Sequence, residues 1–208
     1  MPKQKDTRNL IIDAALDLFS QCGYDGVGLR DIAHNVGIRE SAIYKHFKGK
    51  QDIFDSLVKC MYAEYCEFAT SINVTENLTQ MIEKYKTISE NELLMICNGF
   101  YSYFAKNERA AKFRKILTME QYRNKAIGSL YRELYFENVL KYLTQIFKGL
   151  LDCGLMISVA PDIVALHFYS PIFLLLIRYD EQEINEIDAL QQLNNHVKLF
   201  RQIYYGVN

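Results

Sequence analysis

From Arg8 onward, apolar side chains recur at three- and four-residue intervals. Ile11, Ala15, Leu18 and Phe19 fall on one helical face, with Thr7 placed as an N-cap and Gly23 as a stop. Leu29, Ile32, Ala33 and Val36 repeat the spacing in a second, two-turn helix that ends at Gly37, a residue suited to a tight left-handed turn. After a few residues the chain resumes as a third short helix from Ser41 to Phe47. Ile43 and Phe47 share its inner face, and Tyr44, Lys45 and His46 lie on the others. Two short helices joined at a glycine and braced by a longer one make a helix-turn-helix, whose second member is built to enter the major groove of DNA.

Beyond Lys50 the pattern predicts helices over approximately 50–70, 76–89, 91–105, 108–123, 127–153, 161–179 and 187–205. Their joints are expected at Asn73 to Thr75, Lys106-Asn107, Gly154, Pro161 and the acidic stretch Asp180 to Glu186. The expected fold is all-α with about nine or ten helices: a three-helix DNA-binding domain over residues 1–49 and a helical domain over 50–208. The run Ile163 to Ile177 is apolar on nearly all sides, contains His167 and Pro171, and falls short of the ~20 residues that cross a bilayer. It is expected to be a buried helix and not a membrane span. Together with the last helix it is the candidate for a four-helix dimer interface.

Composition fits a folded helical protein: half of the 208 residues are hydrophobic, 24% are charged and three are proline. The net charge of −1 argues at first against nucleic acid, but it hides an asymmetry. Residues 1–50 hold eight Lys/Arg against six Asp/Glu, and Arg39, Lys45, Lys48 and Lys50 stand against the single acid Glu40. The N-terminus carries Asp13 and Asp17 within its apolar stretch and lacks a secretory core, which reads as cytoplasmic. The five cysteines (Cys22, Cys60, Cys66, Cys97, Cys153) form no C-x-x-C pair and have no histidine at ligand spacing, so neither a disulfide framework nor a zinc site is suggested; no cofactor is expected. Their plain reading is as small buried hydrophobes, with a redox-sensing thiol as the alternative. The chain contains no G-x-S-x-G, H-E-x-x-H, P-loop or dinucleotide fingerprint, which points away from an enzyme and names no catalytic residue.

One resemblance is specific. Between Arg8 and Phe54 the chain has Ala14-Ala15, Leu18-Phe19, Gly23-Tyr24, Asp31-Ile32-Ala33, Val36-Gly37-Ile38, Ile43-Tyr44-Lys45-His46-Phe47, Lys50 and Ile53-Phe54 at fixed, ungapped spacing. This stretch, about a quarter of the chain, resembles the TetR family of bacterial transcriptional regulators. The resemblance implies that Arg39, Glu40, Ser41, Ala42, Tyr44, Lys45 and His46 face DNA. Tyr44, Lys45 and His46 would donate to phosphates, and Glu40, Ser41 and Ala42 would stand near base edges. Lys50 resembles the family's phosphate-clamping lysine.

There are departures from the family pattern. Val27-Gly28 stands where a Thr-Ser pair is common, Arg39 replaces a common Ser, and Glu40 occupies a position where basic or small residues are frequent. The resemblance further implies a homodimer on a palindromic double-stranded operator, released by a small apolar or aromatic inducer bound among the middle helices. Tyr85, Met95, Phe100, Tyr103, Phe104, Met119, Tyr122 and Tyr131 are the candidate ligand contacts. The expected function is therefore a ligand-responsive repressor; an activator or a thiol-based redox regulator with the same head is the alternative.

Overall fold

The computed structural model describes residues 6–205, so the reading of the first five residues lies outside the described part. The elements are α1 (Thr7–Cys22), α2 (Leu29–Val36), α3 (Glu40–Ile43), α4 (Lys50–Ser71), α5 (Leu78–Lys86), α6 (Glu90–Lys106), α7 (Glu108–Glu120) and α8 (Lys125–Arg132). They continue with a π-helical segment (Glu133–Glu137), α9 (Asn138–Asp152), α10 (Pro161–Asp180) and α11 (Glu186–Tyr204). No strand occurs among the described residues; a lone bridge pairs Met156 with Tyr205. The class is all-α, as the periodicity implied. The π segment joins α8 to α9 without a break, so the helix expected over 127–153 is one rod with a widened turn that carries buried Tyr135. Counted as one, it gives ten helices among the described residues.

The chain divides into two compact units. One holds the residues through Glu67 together with Glu108–Tyr131; the other holds Phe68–Asn107 and the chain from Arg132 onward. In the first, α1 packs against α2 and α7 over a core that includes Ile11, Leu16, Phe19, Ile32, Ile43 and Leu57, all essentially inaccessible to solvent. The N-cap of α1 is Asp6, whose carboxylate accepts the Arg8 N–H at 3.1 Å, and not Thr7, which is already helical. Charged side chains fix the register of α7 on this unit. Arg109 bonds both Asp13 and Glu64, the latter at 2.9 Å, and Lys112 bonds Asp17 at 2.7 Å. Such half-exposed pairs orient more than they stabilise.

In the second unit α9 lies against α5 and α10, and α11 against α6 and α10. A Cβ on Gly149 would stand 2.4 Å from Ile82 Cδ1, so the α5–α9 approach depends on the missing side chain. Ser89 and Glu92 cap α6 reciprocally, and Asn77 and Asn185 cap α5 and α11. Helix α10 departs from the expectation of a helix buried all round. At 20 residues it is long and apolar enough to cross a membrane, yet only 28% of its apolar window is buried in the chain. Ile163, Leu166, Leu174 and Ile177 are about half exposed, and their spacing of three, eight and three residues aligns them on one face. The hydropathy of α10 was evident from composition, but which face its own neighbours leave open depends on tertiary packing.

Candidate nucleic-acid interface

The local sequence builds a surface from α2 to the start of α4. Gly28, in extended conformation, precedes α2, and its N–H donates to Asp31 Oδ2 at 2.7 Å, so the missing Ser/Thr cap is replaced by half of a capping box. Gly37 ends α2 at φ +77°; the Ile38 N–H then donates to the Ala33 carbonyl at 2.9 Å and closes the turn. Arg39 caps α3, which is regular only over Glu40–Ile43. The chain continues to Phe47 in single turns, with His46 N–H bonded to Ile43 O and Phe47 N–H to the same carbonyl. The third helix is thus shorter than the expected 41–47, while the alternation of faces holds: Ile43 and Phe47 are buried, and Ser41, Tyr44, Lys45 and His46 are exposed. Phe47 is braced from behind by the Arg8 guanidinium, 4.9 Å from its ring, which also donates to Ser56 Oγ.

Two residues on this surface are already engaged within the protein. Lys50 Nζ donates to the carbonyls of Tyr24 (2.8 Å) and Val27 (3.0 Å) and sits 4.4 Å over the Tyr24 ring, which leaves one N–H of three for an outside acceptor. Glu40 Oε2 accepts from Arg30 Nε at 2.9 Å, and the Arg30 side chain is 89% exposed. Arg30 does not stand out in the sequence because it lies on α2, ten residues from its partner. Its signal was an arginine on the outer face of the helix before the turn. With Nε held by Glu40, neither Nη group has a partner among the described residues, and the two can form a planar fork.

Residues 11–57 match the sequence model of the bacterial regulatory proteins of the tetR family. Over this stretch the head is similar to the N-terminal domain of that family. Its stretch is 46% identical over 55 residues to the negative regulator of the biofilm operon icaADBC of Staphylococcus aureus, IcaR, a match that covers 26% of this chain and 30% of that relative. It is 41% identical over 56 residues to the class A tetracycline repressor of transposon 1721 from Escherichia coli, covering 27% of this chain and 26% of the repressor. These sequence matches therefore concern the TetR-type head and span under a third of each relative. The whole fold is shared with SmeT of Stenotrophomonas maltophilia in its triclosan complex: TM-score 0.70, 17% identity, 96% of this chain and 92% of the other covered.

The candidate ligand residues are dispersed. Phe100, Tyr103 and Phe104 on α6 gather with Phe68, whose ring stacks on Tyr103 at 4.2 Å and meets Phe100 edge-on at 5.5 Å. Phe104 continues the cluster to Tyr135 at 5.9 Å. Tyr85 is half-buried near Tyr142, Cys97 and Tyr205, and burial raises its phenol pKa. Met95 (65% exposed) and Tyr122 (92%) point to solvent. Met119 and Tyr131 belong to the first unit, half-buried and buried respectively. Among the described residues, no group of three or more His, Cys, Asp or Glu is placed to hold a metal ion. None of the five cysteines forms a disulfide; only Cys97 is buried as expected, while Cys22 and Cys153 are exposed, and burial pushes the Cys97 thiol up to about 12, which leaves it little thiolate at neutral pH.

Proposed function

We propose that the protein is a ligand-responsive transcriptional repressor that binds a palindromic DNA operator as a homodimer and is released by a small apolar or aromatic inducer. One observation carries this reading: a TetR-family helix-turn-helix presents an outward row of donors, Ser41, Tyr44, Lys45 and His46, on a turn whose inner face is locked by Ile43 and Phe47. Residues 1–49 form the DNA-binding domain, to which Lys50 adds a contact, and 50–208 serves ligand binding and dimerisation, although 50–67 and 108–131 fold with the head. Tyr44, Lys45, His46 and the third N–H of Lys50 hold phosphates; Arg39, Ser41 and Ala42 stand at base edges. Glu40 acts through Arg30, whose free fork suits the O6 and N7 atoms of guanine.

The matched relatives are negative regulators by name, which supports repression over activation. SmeT binds triclosan, a small aromatic molecule, and the Phe68–Phe100–Tyr103–Phe104 cluster offers walls of that chemistry here. The open face of α10, with exposed Leu199 and Ile203 on α11, supports a second copy of the chain as its cover. Ligand release follows from linkage: an inducer that fits only the DNA-incompetent form lowers operator affinity by its differential binding, about 1–3 kcal/mol of coupling.

The test is selection by the purified protein from a randomised duplex pool. The expected product is an inverted repeat with half-sites centred about 34 Å, or a multiple, apart. Enrichment of no sequence, or of an asymmetric one, contradicts the reading.

A further inference from the structure

The turn between α1 and α2 is held by a residue that is distant in sequence. Gly23 leaves α1 at φ +76°, and the next N–H, that of Tyr24, donates to Glu120 Oε1 at the C-terminal end of α7, at 3.0 Å in a buried setting. A Cβ on Gly23 would lie 2.5 Å from that same oxygen. Glu120 is 2% exposed, and its second oxygen, Oε2, has no hydrogen-bond partner. A buried carboxylate with an orphaned oxygen costs stability, and where one persists a role other than stability is to be sought.

The carbonyl and hydroxyl of Tyr24 reach toward the DNA-facing elements. Its carbonyl accepts from Lys50, which also holds Val27, the residue before the Gly28 cap of α2. Its hydroxyl donates to Gln51 Oε1 at 3.0 Å, and its ring packs against Phe19 and Phe54 with centroids at 5.3 and 5.2 Å. Tyr24 is therefore a three-way junction: N–H to α7, carbonyl and hydroxyl to the start of α4, and chain onward to α2. Helix α7 is in turn fixed on α1 by Arg109 and Lys112.

We infer that Glu120 is a positioning residue of the DNA-binding head: by gripping the Tyr24 N–H it sets the α1–α2 turn, and through it the placement of α2 and α3 on the operator. The inference rests on the proposed function and deepens it. Without the grip, the outward side chains keep their charge but lose their register. Attraction to phosphates persists while base readout suffers.

The experiment compares wild-type protein with Glu120→Ala and Glu120→Gln on the duplex enriched by the wild type and on random duplex, well below the melting temperature of each. The alanine variant is expected to lose about tenfold in affinity for the enriched duplex and less than about twofold for random DNA. Glutamine, which retains an acceptor oxygen, is expected to restore most of the loss. Gly23→Ala, which drives a Cβ into the same oxygen, should cost less on the alanine background than alone. If Glu120→Ala does not fold, Glu120→Met fills the volume without an acceptor and is read in the same way.

Equal affinities for all variants, equal losses on both duplexes, or unfolding of both the alanine and methionine proteins overturns the inference. A wild type that enriches no duplex overturns instead the function on which it rests.

Discussion

Two surfaces of this protein are exposed for opposite chemical reasons. On the head, the face from Arg30 to His46 carries polar donors, while Ile32, Ala33, Ile43 and Phe47 are turned inward. On α10 the exposed face is Ile163, Leu166, Leu174 and Ile177, with polar groups sparse. The first surface suits a partner that brings its own charge and water; the second suits a partner that removes water from hydrocarbon. The sequence comparisons divide similarly. The head keeps 41–46% identity with named repressors, and the whole fold is recovered at 17%. A surface that must meet a fixed phosphate geometry constrains identity, whereas a helical core needs only apolar residues of fitting volume at the right period.

The contrast can be broken most forcefully on α10. Replacing Leu174 with Glu puts a charge on the apolar face, and a cost of about 3 kcal/mol raises the dimer dissociation constant ~100-fold, as read by sedimentation equilibrium. An unchanged constant would mean that α10 is covered by something other than a second copy. On the head, Lys50→Ala removes a charged donor from two carbonyls. It should destabilise the protein by about 2 kcal/mol in denaturant unfolding, beyond any effect on DNA. A loss confined to DNA binding would place Lys50 purely on phosphate.

Arg30→Ala and Glu40→Ala should relax the same operator position, by about 1–3 kcal/mol of base discrimination. Were Glu40 to read a base directly, the two variants would relax different positions. Lys45→Ala should lower the salt slope by ~0.9 and leave base preference intact.

The smallest expected effect belongs to His196 on α11. Its pKa is lowered by burial, opposed by the hydrogen bond from its Nε2 to the Phe168 carbonyl, with His167 nearby adding to the depression. The folded form therefore takes up its proton later than the unfolded chain on acidification. Stability is full above the ordinary histidine pKa of about 6.5 and declines as pH falls from there to the lowered folded value. His196→Gln should flatten that part of the stability profile.

The order of helices and the helix-turn-helix were legible because both rest on local periodicity and on glycines at turns. What depends on contacts distant in sequence was not legible. The sequence suggests a head that closes at residue 49, yet α7 returns to pack on α1, a fact no window around Glu108–Glu120 contains. Arg30 and Glu120 act through partners ten and 96 residues away. Lys50 could be read as a cation near DNA but not as a brace on Tyr24 and Val27. Tyrosine and phenylalanine content marked the middle helices as aromatic, but composition cannot separate the stacked Tyr103 from the solvent-facing Tyr122. In the same way, α10 read as apolar throughout, and only packing shows which side stays open.

The central claim is sequence-selective DNA binding by the head, and fluorescence anisotropy of the purified protein on its enriched duplex tests it most directly, at two salt concentrations and with excess random DNA. The account predicts a salt-sensitive complex of two or four subunits per site that survives the competitor. Binding that random DNA abolishes, or that ignores salt, would contradict it.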